Sequence, residues 1–249
     1  MLLAVLALGA AGSGAAQTPP GATAMGAMDS TDRTPAMQAH AAMSGPVVAD
    51  LHKRLTERRP GTAADSARAW ALVASMRREL ERYRDVRVAE AGGFRQFLPG
   101  VPQAVYHFTN WRWGVEAVFR FDPARPTSLL YRADPDGHLT LVGAMYTAPA
   151  AASEAELDSR VPLAVARWHQ HVNWCVPPRG ARDRWRERRD GRPVFGPASP
   201  IATHAACDSV GGRFLPHIFG WMVHVNAFGS DDPAAIWSAG HDHGEGHRP

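Results

Sequence analysis

The sequence predicts an α+β fold: N-terminal helices followed by a mostly antiparallel β-sheet, with one disulfide. Three observations predict it. Apolar residues recur every three to four positions up to about Tyr83 and every second position after it. The tetrapeptide Asp134-Pro135-Asp136-Gly137 separates two β-rich runs and signals a hairpin. Two cysteines, Cys175 and Cys207, sit in a chain with an export-type start. With 249 residues, 45% of them hydrophobic and 20% charged, the chain can bury a sizeable core. The same figures exclude a disordered polyampholyte, a disulfide-framework miniprotein and a membrane bundle.

In chain order, Met1–Ala16 (MLLAVLALGAAGSGAA) is apolar and then small. It is too short to span a bilayer and suits a secretory signal, with Gly14 and Ala16 as small residues before a cleavage at Gln17, although it lacks a basic n-region. Residues 17–45, rich in Ala, Gly, Pro, Thr and Met, read as a flexible leader. A single domain is expected from 46 to 237, and 238–249 form a polar His-rich tail. Pro46–Arg59 is expected to be a short helix, with Leu51 and Leu55 on one side and Pro60-Gly61 as its stop. Thr62 caps a longer helix whose apolar face is Trp70, Val73, Met76, Leu80 and Tyr83. Strands are then expected at Val105–Thr109, Val115–Phe121, Thr127–Arg132 and Leu139–Tyr146. Ser153 and Glu156 make a capping box for a short helix to about Ser159. Val161–Cys175 reads as a strand, with a helix as the alternative, and Gly220–Phe228 as another strand. The proline- and arginine-rich stretch Pro177–Ile201 is a long excursion between the cysteines. An even cysteine count in an exported chain reads as one disulfide, worth on the order of 3 kcal/mol for a loop of about 30 residues. Thiolate ligation of a soft metal is the alternative.

The basic pI of 9.2 does not point to nucleic acid. Lys53 is the only lysine among 27 basic residues, and the densest run, Arg179–Arg192, is interleaved with Asp183, Glu187 and Asp190. Such a run makes a solvated face. No other long apolar run exists, so no integral membrane segment is expected.

Several segments taken together resemble a family of exported bacterial proteins. Tyr83-Arg84-Asp85-Val86 with Ala89–Phe94, then Tyr106-His107-Phe108-Thr109-Asn110, then Pro126–Tyr131 and Leu139–Tyr146, follow the pattern YRDVxxAxADGY, HYxN, PxxLxY and LxLxGxxY. Gly92 stands where the family has Asp, and Phe94 and Phe108 replace tyrosines. The family is uncharacterised, so the resemblance implies secretion and architecture and no activity. His107 and Asn110 are the polar pair it carries over.

The candidate chemistry lies in the histidines, ten of whose twelve follow residue 100. In Trp168-His169-Gln170-His171, positions two apart on a strand share a face, so His169 and His171 present two imidazoles side by side. His224, in a second strand, and His107, in a third, are further candidate ligands, with His204 and His217 behind them. Imidazoles gathered at one place suit zinc, copper or non-haem iron. Met25, Met28, Met37 and Met43 with His40 in the leader, and His241, His243 and His247 in the tail, favour copper over zinc. The competing reading is that each histidine is a structural group bonded to a carbonyl. The sequence therefore points to a secreted or periplasmic metal-binding protein that handles copper or zinc, with the metal ion as its partner. A mononuclear histidine enzyme for a small substrate, with Asn110, Asn173 or Asn226 orienting it, is the alternative, as is a module without metal. The tryptophans Trp111, Trp113, Trp168, Trp174 and Trp221 either line a pocket or form core. Phosphate-loop, HExxH and GxSxG motifs are absent.

Overall fold

The computed structural model describes residues 50–97, 99 and 103–238. The expected signal segment and leader, residues 46–49 of the expected first helix, and residues 239–249 of the expected tail lie outside the described residues, with the methionine and histidine donors assigned to them. In chain order the elements are β1 (Lys53–Leu55), α1 (Ala63–Leu80) running into a 3-10 turn (Glu81–Arg84), α2 (Val86–Ala91), β2 (Arg95–Gln96) and β3 (Tyr106–Thr109). Then come α3 (Trp111–Phe119), β4 (Ser128–Ala133), β5 (Leu139–Ala148), α4 (Glu154–Arg160) and β6 (His169–Val176). A 3-10 turn (Arg182–Arg186), β7 (Arg188–Arg189), β8 (Arg192–Pro193), α5 (His204–Ser209), β9 (Arg213–Val225) and α6 (Pro233–Ile236) complete them. Seven strands form one antiparallel sheet in the order β1-β6-β9-β5-β4-β3-β2.

The caps act as the sequence requires. The Thr62 hydroxyl accepts from the Asp65 amide while the Asp65 carboxylate accepts from the Thr62 amide. Arg59 donates to both Asp65 and Asp158, at 2.7 and 2.8 Å, which ties the start of α1 to α4. The Arg59 guanidinium and the Thr62 donors hold the Asp65 carboxyl well below its usual range. Ser153 and Glu156 repeat the capping box on α4. The β4–β5 hairpin turns at Asp134–Gly137, where Gly137 takes a positive φ of 84°.

Four expectations need correction. Lys53–Leu55 are an edge strand paired with β6 and not part of a helix. Leu51 is 60% exposed, so the two leucines make no buried stripe that would support one. Val115–Phe121 is not a strand: α3 starts at Trp111 because the Asn110 side chain accepts from the Trp113 amide at 3.2 Å. Residues 161–168 belong to no strand, since the Pro162 carbonyl accepts from the Val165 and Ala166 amides in a turn and β6 begins only at His169. Finally, β9 begins at Arg213, well before Gly220. Within α1, Leu72 joins the buried stripe and Trp70, 43% exposed, leaves it.

One face of the sheet carries Phe108, Leu129, Tyr131, Ala144, Tyr146, Val223 and Val225, which pack with Val73, Met76 and Leu80 of α1 into the main core. Trp168, Trp221 and Leu157 extend it. The Tyr131 hydroxyl donates to the Tyr83 carbonyl at 2.6 Å, and burial raises its pKa.

The disulfide joins Cys175 at the end of β6 to Cys207 on α5, 32 residues apart. It anchors the excursion, and both cysteines are buried with Val194 and Phe195. The alternative of thiolate ligation is thereby set aside, because both sulfurs are in the bridge. Gly212 lies flat against the bridge: a Cβ there would sit 2.5 Å from Cys175 Sγ and 2.7 Å from Cys207 Sγ.

Candidate metal centre

The second face of the sheet is unlike the first. Strand alternation places His107 of β3, Leu130 of β4, Met145 of β5, Met222 and His224 of β9, and His169 of β6 on it. Register sets Met145 opposite His224 and Met222 opposite His169. All four predicted histidines are buried: His107 is 1% exposed, His171 3%, His169 4% and His224 5%.

The rings meet in a row. Centroids are 5.6 Å apart for His107 and His224, 5.2 Å for His224 and His169, and 5.6 Å for His169 and His171. Two imidazoles bound to one ion at ~2.0–2.1 Å with tetrahedral angles hold their ring centres roughly 5 Å apart. Each neighbouring pair is thus near the separation that two-ring coordination takes, while no three of these rings bring their nitrogens within 4.8 Å of one another.

The contact between His107 and His224 also reports on the sheet. Their strands are separated by β4 and β5. In a flat sheet, at ~4.8 Å per strand, that spans roughly 14 Å. Rings that meet at 5.6 Å across it require strong curl, with the histidine face on the concave side. A bulge contributes on the other flank. His169 pairs with Met222 but His171 with Ile218, so β9 carries extra residues between them. Phe219 there has a positive φ of 62°. Its neighbour must be glycine, because a Cβ on Gly220 would lie 1.9 Å from the Ala148 carbonyl oxygen.

At one end of the row stands His171. Burial, aided by the nearby Lys53 charge, lowers its pKa from 6.5 to about 4, so the ring is neutral at physiological pH. Its Nδ1 is buried without a hydrogen-bond partner. Lys53, opposite it in β1, is itself lowered by burial. That cation opposes a second positive charge at the His171 end of the row. His52 has a different, structural fate: its Nε2 is 2.6 Å from the Ser199 carbonyl oxygen.

Other predicted residues fall elsewhere. His204 is exposed and lies 3.1 Å from Asp208, and His217 is exposed. The three asparagines are structural. Asn110 caps α3, Asn173 donates to the Leu51 carbonyl, and Asn226 donates to the Ala235 carbonyl. Trp168, Trp174 and Trp221 are buried, while Trp111 is 59% exposed.

Two features escaped the sequence reading. Met145 and Met222 stand among the histidines, a placement that only cross-strand register could reveal. Asp134, Asp136 and His138, read only as a turn, form the group among the described residues whose ligand atoms all lie within 4.8 Å of one another, and they can hold a metal ion. All three are exposed. Their contacts are also those of the turn itself, with the His138 amide donating to Asp134 Oδ1 at 2.8 Å and the Gly137 amide to the Asp134 carbonyl. The chain matches no family model, no curated protein and no solved structure.

Proposed function

We propose that the protein is an exported metal-handling protein that binds a transition-metal ion on the concave face of its sheet, through His169, His171, His224 and His107. The observation that carries this reading is the row of four buried imidazoles, drawn from three strands, whose neighbouring ring centroids lie 5.2–5.6 Å apart. Metal ligation needs neutral imidazoles, and burial keeps His171 neutral. Copper is favoured over zinc because the thioethers of Met145 and Met222 flank the row, and thioether with imidazole suits Cu(I). Export is supported by the apolar start and by the disulfide, which belongs to an oxidising compartment. No helix among the described residues is long and apolar enough to cross a membrane.

The test uses protein purified from an oxidising compartment with His241, His243 and His247 replaced, loaded with copper or zinc and desalted. Elemental analysis is expected to give near-stoichiometric metal in this parent. A His169→Ala/His224→Ala double variant is expected to lose it. Metal-free parent whose melting is indifferent to chelator would overturn the reading. A second reading, an enzyme with an open coordination position, is favoured by one feature: a cavity reaches His107. Spectral perturbation of the copper form by azide would mark such a position.

A further inference from the structure

Between α3 and the sheet lies a cavity of about 350 Å³. Its volume falls at the small end of the ~300–1,000 Å³ range of ligand pockets. The floor is Met145, Met222, Thr147 and Ser128, His107 is set into the wall, and α3 supplies Trp111, Val115 and Val118. We propose that this cavity is a binding site for a small uncharged apolar molecule, a single or fused ring, admitted between α3 and Phe219. The site goes beyond metal binding and does not depend on it.

Three independent features support the assignment. The first is the polarity of the wall. Hydroxyls that would recognise a polar ligand are consumed by one another: Thr109 Oγ1 lies 2.9 Å from Ser128 Oγ, and Thr127 Oγ1 lies 2.6 Å from Thr147 Oγ1. Paired hydroxyls leave little polar capacity towards the cavity, and a polar ligand would lose its hydration there without compensation. Among the described lining residues, His107 is the one ionisable group.

The second feature is α3 itself. Trp111, Val115 and Val118 follow i, i+4, i+7 spacing and make an apolar stripe, yet no residue of the helix is buried. Trp111 is 59% exposed and Val115 63%. A stripe of this kind exists to cover apolar surface, and what it faces is the cavity.

The third is Phe219. A bulky residue at positive φ is strained, at a cost of order 1–3 kcal/mol. Core packing does not offset that cost, because Phe219 is 49% exposed. Its ring lies 6.5 Å from Phe97, which in turn lies 6.4 Å from Trp111, so three aromatics line one side of the mouth. Strain kept at an exposed aromatic on a cavity rim serves contact with something entering the cavity.

The experiment titrates full-length, chelator-treated protein with the fluorescent probe aminoanthracene. Saturable binding is expected, displaced by naphthalene but not by benzoate. Phe219→Gly relieves the backbone strain, so its melting temperature should match or exceed wild type while probe affinity falls about tenfold or more. Val118→Asp, at a half-exposed rim position, should weaken binding similarly without unfolding the chain. Because metal is removed throughout, failure of this site and failure of the metal centre are read separately. Lack of saturable binding, or wild-type affinity in both variants, would overturn the proposal. So would finding that the apolar rim instead drives sedimentation with phosphatidylglycerol vesicles, or a dimer abolished by Val118→Asp, with the probe unbound.

Discussion

Where the sheet faces α1, its side chains are Leu129, Tyr131, Ala144, Tyr146, Val223 and Val225, and the helix presents Val73, Met76 and Leu80 to them. Where it curls the other way, the same strands present His107, Met145, Met222, His224 and His169. Backbone pairing is shared by both faces, so the difference lies in what each asks of burial. The first face gains free energy from removing apolar area from water. The second desolvates polar rings, which costs stability unless a hydrogen bond or a metal compensates. A protein that carries both on one sheet has divided its strands between an apolar core and a buried polar row.

The largest effect that would sharpen this contrast is on the first face. Trp168 is fully buried, and Trp168→Ala should cost about 3–5 kcal/mol in urea denaturation whether or not metal is present. Next comes the pH response of the second face. His171 has a folded pKa of about 4, below its ordinary 6.5, so the unfolded chain takes up the proton first as pH falls. Its contribution is fully present above pH ~6.5, declines as pH falls from there to ~4 and then levels off, a loss of up to ~3 kcal/mol. Stability curves of wild type and His171→Leu should therefore converge in shape above that window and diverge within it; parallel curves would argue that the ring is solvated.

A smaller effect separates a ligand from a structural histidine. Chelated His224→Leu should lie within about 1 kcal/mol of wild type, because an apolar side chain suits the buried position. Metal at a hundredfold excess over its dissociation constant should then stabilise wild type by ~2.7 kcal/mol and leave the variant unmoved. The smallest effect concerns the exposed turn. Asp134→Asn with His138→Ala should change stability by about 0.5 kcal/mol or less and leave metal loading intact. Loss of loading in that variant would move the site from the concave face to the hairpin.

Much of the fold could be read from local signals. Thr62 with Asp65, Ser153 with Glu156, and the turn at Asp134–Gly137 each act within a few residues, and each gave its element. The helix at Trp111–Phe119 was misread because Val115, Ala117 and Phe119 alternate like a strand; the deciding signal was the capping side chain of Asn110. The edge strand at Lys53–Leu55 is too short to carry a pattern, and its partner lies more than 100 residues away in β6. Candidate ligands were legible by residue type. Their meeting was not, because it depends on curl across β4 and β5 and on a bulge at Phe219. The methionines beside them were missed for the same reason.

The glycine pressed against the Cys175–Cys207 bridge has a consequence for chemical access. With both sulfurs buried under Gly212 and packed against Val194 and Phe195, a small-molecule reductant reaches the bond when the start of β9 or the segment at Val194–Phe195 lifts away. The rate at which dithiothreitol cleaves the native bridge then becomes a clock for that opening. Gly212→Ala, which forces the cover off the sulfurs, should run the clock faster.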